Sequence, residues 1–113
     1  MRPDTQPIGL YEHPGELALA TDLYELTMAA AYFEHGMTAQ TATFELFVRH
    51  LPAERGYLVA AGLEQAIQYL TRLRFDTAAR DYLRSLPVFE QVSDDFWDYL
   101  REFRFTGDLS AMP

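Results

Sequence analysis

From Thr21 onward the apolar positions Leu23, Leu26, Ala30 and Phe33 fall on one stripe, the spacing of a helix with one dry face. Asp22, with Glu25 three residues on, has the spacing of a capping box, with Asp in the place of Ser or Thr. Gly36 is placed to end this helix. The Ala29-Ala30-Ala31 run favours helix and leaves room for another backbone to approach closely. The period then changes to two. Ala42, Phe44, Leu46 and Val48 alternate with Thr43, Glu45, Phe47 and Arg49, which predicts a strand with one dry and one mixed face, stopped by Pro52. "YLVAAG" is short enough to be a strand or the lead-in to a helix. Leu63, Ala66, Ile67, Leu70 and Leu73 then predict an amphipathic helix. Asp76 is placed to cap another, with Ala79, Tyr82, Leu83 and Leu86 facing inward and Pro87 as its stop. Ser93 caps a last helix, Asp94 and Asp95 suit the positive end of its dipole, and Phe96, Leu100 and Phe103 form its stripe. Phe105, Leu109 and Ala111 alternate again and predict a closing strand. The expected class is α+β. Residues 1–17, rich in Pro and Gly, read as an irregular arm, and 18–113 as the domain.

Composition narrows the function classes. The chain has 113 residues, 49% hydrophobic and 23% charged, which fits one globular domain with a modest core. Nine basic against seventeen acidic residues give a net charge of −8. That balance argues against nucleic acid or an anionic membrane as the main partner, yet a few placed basic groups can still bind a small anion. No cysteine is present, so disulfides, thiol nucleophiles and cysteine metal sites are excluded. No apolar run approaches transmembrane length, and the N-terminus has no apolar core of a signal peptide. A soluble, cytoplasmic protein is the expectation. The sequence stops at Met112-Pro113, immediately after a strand-like run that would leave an open sheet edge, so it reads as the front part of something longer.

Candidate chemistry is sparse. His13, His35 and His50 are scattered without metal-ligand spacing and read as surface or capping histidines. There is no Gly-rich phosphate loop, no nucleophile elbow and no carboxylate pair with acid/base spacing. Two residues stand out. Tyr24, in the first turn of the first helix, either packs on the core beside Met28 and Ala31 or offers a rigidly held ring to a flat ligand. Arg49, on the mixed face of the predicted strand, is either solvated or bridged to a nearby acid, or it grips a phosphate or carboxylate with its guanidinium fork.

Six segments in order carry a resemblance: "TDLYELTMAAAYFEHGM", "FELFVRHLP", "RGYLVAAGLEQ", "YLRSL", "DDFWDYLREFRFTGDL" and the final "AMP". From Ala18 to Pro113 the chain closely resembles the N-terminal part of nicotinate phosphoribosyltransferases. The resemblance implies an N-terminal α+β domain of a type II phosphoribosyltransferase, whose full chain adds an irregular α/β barrel absent from this sequence. It implies an enzyme that joins nicotinate to phosphoribosyl pyrophosphate, giving nicotinate mononucleotide and pyrophosphate. ATP hydrolysis through a phosphorylated histidine, with Mg2+, drives that step of NAD salvage. It also implies a homodimer whose active sites lie between subunits.

By the same resemblance, Tyr24 of "TDLY" lines the nicotinate pocket, Asp22 supports it by capping the helix, and Arg49, which follows "FELFV", faces phosphate groups. The phosphorylated histidine and the main ribose-phosphate loops belong to the barrel. None of the three histidines here has their context, so this chain alone is expected to be inactive. "TDLYELTM" and "FELFVR" favour nicotinate over quinolinate, whose second carboxylate would call for more basic residues. The alternative is a stand-alone, non-catalytic interaction or ligand-binding module with the same fold.

Overall fold

The computed structural model describes residues 17–112, and the first sixteen residues of the expected N-terminal arm lie outside that range. Four helices follow in order: α1 Leu23–Glu34, α2 Leu63–Arg72, α3 Thr77–Ser85 and α4 Asp94–Glu102. A single 3-10 turn, Pro87–Phe89, joins α3 to the approach of α4.

Helix α1 starts and stops for reasons legible in its residues. Asp22 is the N-cap, and its backbone N–H donates to Glu25 Oε2 at 3.3 Å, one half of a capping box. At the other end Gly36 takes the left-handed conformation, φ +69°. Its N–H donates to Phe33 O at 3.0 Å, and Met37 N–H donates to Tyr32 O at 2.9 Å. That pair of bonds is the Schellman arrangement, which glycine enters without a Cβ clash. Between the two ends, Leu26, Ala29, Ala30 and Phe33 face the core. The alanines let α1 approach α4, and the Phe33 ring meets Phe96 at 5.6 Å and Tyr99 at 5.2 Å between centroids.

Helix α3 is capped by Asp76, whose carboxylate accepts from Ala79 N–H at 2.8 Å. It buries Ala79 and Leu83, while Tyr82, expected to face inward, is exposed. Pro87 ends the helix and opens the 3-10 turn, which carries Phe89 into the core. Trp97 on α4 lies edge-on to Phe89 and Phe96, with centroids at 5.7 and 5.3 Å. Arg84 spans the outside of this cluster. Its guanidinium lies 5.6 Å from the Trp97 ring centroid and pairs with Asp94 in the first turn of α4. The core is thus built by α1, α3, the 3-10 turn and α4, with Leu17 and Ala18 also buried.

The expected strands are not formed. Residues 40–50 and 103–110 carry no regular secondary structure, and no strand occurs among the described residues. Phe44 and Leu46, assigned to the dry face of the first strand, are 90% and 102% exposed. "YLVAAG" is likewise irregular, and ends at Gly62, the left-handed N-cap of α2 with φ +106°. Alternation records which side chains would share a face, but a strand exists only when a second edge accepts its hydrogen bonds. No such edge lies among the described residues. Helix α2 forms where its periodicity predicts, yet buries none of its residues. The helical part of the α+β expectation therefore stands in the structure and the sheet part does not.

Candidate functional site

Tyr24 is the second residue of α1, two residues ahead of its first core contact, Leu26. Its side chain is 60% exposed, and it makes no side-chain hydrogen bond or ring contact among the described residues. Met28 and Ala31, its expected packing neighbours, are themselves exposed. The ring is therefore displayed and not packed. Its backbone, by contrast, is firmly held. Asp22 caps the turn, and Tyr24 O accepts from Thr27 Oγ1 at 3.0 Å. A displayed ring on a fixed backbone loses little entropy when a flat partner stacks on it.

Arg49 lies exposed in the irregular segment. The three ion pairs of the described residues are Arg84–Asp94, Arg101–Asp98 and Arg101–Glu102, so Arg49 is bridged to none of its neighbouring acids. The hydrogen-bonding capacity of its fork is thus available to an anion. Of these side chains, Glu102 holds Arg101 by a hydrogen bond that, with the nearby Asp98 charge, raises the guanidinium above its ordinary range. His35 behaves as a capping histidine: its Nδ1 lies 2.8 Å from Ala31 O at the end of α1.

The described residues form a broad, open groove of about 1170 Å³. Its lining includes Thr41, Thr43 and Phe44, Leu70 of α2, and Tyr99 and Phe105. Neither Tyr24, Asp22 nor Arg49 lines it. Among the described residues no group of three His, Cys, Asp or Glu side chains could hold a metal ion. No helix among the described residues is long and apolar enough to cross a membrane. A contact that sequence reasoning missed ties two elements together. Glu34 Oε1, at the end of α1, accepts from Ser93 N–H at 3.2 Å and from Ser93 Oγ at 2.8 Å. The partners are 59 residues apart, so no local signal could have revealed the pair.

These features define a helical domain that presents an aromatic ring and an unpaired cation from its rim, with no assembled catalytic centre among the described residues. The chain belongs to the nicotinate phosphoribosyltransferase N-terminal domain family, whose model matches residues 19–113. It is 46% identical over 106 residues to nicotinate phosphoribosyltransferase pncB2 of Mycobacterium tuberculosis, covering 94% of this chain and 22% of that protein. The nicotinate phosphoribosyltransferase of Bacillus subtilis is 48% identical over 68 residues, 60% of this chain and 14% of the relative. That of Mus musculus is 36% identical over 97 residues, 84% and 18% respectively. The chain thus spans about a fifth of the length of these relatives. No solved structure matches it.

Proposed function

We propose that this chain is the N-terminal segment of an enzyme that joins nicotinate to phosphoribosyl pyrophosphate, releasing nicotinate mononucleotide and pyrophosphate with ATP hydrolysis in NAD salvage. In that reaction the pyridine nitrogen bonds to the ribose C1 carbon as the bond from C1 to the pyrophosphate oxygen breaks. The segment contributes binding surface, not catalytic groups. Tyr24 stacks on the pyridine ring, Asp22 fixes the turn that carries Tyr24, and Arg49 forks onto phosphate oxygens. The barrel, the phosphorylated histidine and the sites for ATP and Mg2+ belong to the remainder of the protein. The enzyme acts as a cytoplasmic homodimer, with Tyr24 reaching a pocket across the subunit boundary.

The observation that carries this reading is Tyr24: an exposed ring on a capped first turn, inside a segment whose family is that of nicotinate phosphoribosyltransferases. Exposure alone is shared with Tyr32, Tyr57 and Tyr82; what sets Tyr24 apart is its place on the capped first turn of α1. In the full-length protein Tyr24→Ala should raise the KM for nicotinate roughly tenfold, the equivalent of one lost stacking contact, with the KM for phosphoribosyl pyrophosphate nearly unchanged. Steady-state kinetics on both substrates checks this. Equal rises for the two substrates would defeat the assignment.

A second reading, a stand-alone non-catalytic module, draws support from the self-contained core around Phe96 and Trp97. The intact mass of the native protein, together with the reading frame past Pro113, separates the two. A stop codon and a mass near 13.0 kDa would favour the module.

A further inference from the structure

We infer that Glu34 and Ser93 are positioning residues for the Tyr24 site, locking the angle of α1 against α4; this rests on the reading of Tyr24 as a nicotinate contact. Three observations carry it. The first is where α1 is held. Its core contacts begin at Leu26 and centre on Ala29, Ala30 and Phe33, while Tyr24 stands ahead of them on an exposed turn. Contacts made by small alanines and ring faces are non-directional, so they permit sliding and rolling of α1 on α4. Hydrogen bonds to a carboxylate are directional, and two of them converge here on the single oxygen Glu34 Oε1.

The second observation is electrostatic. A carboxylate in the last turn of α1 sits at the negative end of its own helix, where it is disfavoured. The same carboxylate lies at the N-terminus of α4, where the positive dipole end and unpaired N–H groups favour it. Glu34 is therefore placed well only with respect to α4. The third concerns Ser93. It occupies the N-cap position of α4, yet its side chain makes no cap bond within α4. The hydroxyl donates to Glu34 instead, so the serine is committed to the inter-helix tie.

The lever is long enough to matter. Ten residues separate Tyr24 from Glu34, about 15 Å at the rise of an α-helix. Over that span a tilt of about 4° moves the start of α1 by about 1 Å, a displacement large enough to impair substrate alignment severely. Releasing the tie should therefore be felt at Tyr24 more than in the core.

The test uses Glu34→Ala, Glu34→Gln, Ser93→Ala, the Glu34→Ala/Ser93→Ala double variant and Tyr24→Ala in the full-length protein. The readouts are KM for nicotinate, KM for phosphoribosyl pyrophosphate, kcat and Tm. Glu34→Ala should raise the nicotinate KM about three- to tenfold and leave the other KM within about twofold. Ser93→Ala should act in the same direction more weakly, since the backbone N–H remains. The double variant should do no more than Glu34→Ala, and Glu34→Gln, which retains an acceptor, should recover most of the loss. An unchanged nicotinate KM in Glu34→Ala overturns the inference. So does a parallel change in both KM values that tracks the fall in Tm, because that marks a structural role only. If Tyr24→Ala raises the nicotinate KM and Glu34→Ala does not, positioning alone fails. If Tyr24→Ala is silent, the nicotinate reading fails and this inference goes with it.

Discussion

The residues that matter most in this chain are those that the fold leaves unsatisfied. Tyr24 and Arg49 both lack side-chain partners among the described residues, the one an exposed ring and the other a free guanidinium fork. An exposed arginine carries no penalty in water, so its exposure alone decides nothing. Arg49 forms no ion pair although acids stand close in sequence, at Glu45 and Glu54, a property it shares with other arginines such as Arg55. In the full-length protein Arg49→Ala should raise the KM for phosphoribosyl pyrophosphate about tenfold or more, the scale of a charge-assisted hydrogen bond, while nicotinate binding changes little. Arg49→Lys should recover only part of this, because it keeps the charge and loses the fork. Isothermal titration with each substrate checks the split, and an Arg49→Ala protein that binds both normally would remove Arg49 from the site. Both positions were legible in the sequence as residue types. Their lack of partners was not, because pairing depends on what the chain brings near them.

At the scale of elements, the three capped helices show that the same sequence signal can do different work. Asp22, Asp76 and Ser93 all stand where an N-cap belongs. Asp76 caps directly, through Ala79 N–H at 2.8 Å. Removing it with Asp76→Ala should lower stability by about 1 kcal/mol, the usual cost of a lost cap, read as a fall in the urea midpoint without a change in slope. A drop several times larger would mean that Asp76 supports more than α3. Ser93 caps across to another helix, so Ser93→Ala should weaken the α1–α4 join and not α4 itself. The helix boundaries were readable because caps, glycines and prolines act within four or five residues of themselves. The stripe of α4 was read as Phe96, Leu100 and Phe103, and Trp97 was missed. Trp97 is buried because α3 and the 3-10 turn meet α4 from a second side, which broadens its apolar face beyond one stripe.

For the whole molecule, the surface decides how the chain behaves. Its accessible area is 10001 Å², against roughly 6,300 Å² expected for a compact monomer of its mass. The radius of gyration is 17.2 Å, where a compact chain of this length would have roughly 13 Å. Residues 40–62 are all exposed, with Phe44, Leu46, Phe47, Tyr57 and Val59 among them, and so are residues 104–112. Large apolar side chains exposed in such number favour association or aggregation. The isolated 113-residue chain should therefore bind an apolar fluorescent dye and sediment with a concentration-dependent mass. A monodisperse monomer without dye binding would show that these residues find cover within the chain.

The sequence by itself determined the four helices, the N-cap positions Asp22, Asp76 and Ser93, the family and the lack of cysteine. These are local matters: a capping box, a left-handed glycine or a six-segment likeness needs no knowledge of what lies across the molecule. Only the tertiary structure decided that Ala42–Val48 and Phe105–Ala111 stay out of a sheet, that α2 buries nothing, and that Glu34 reaches Ser93. Each of those depends on a partner distant in sequence. Periodicity reports the face a segment would bury, and burial itself requires a second surface to meet it.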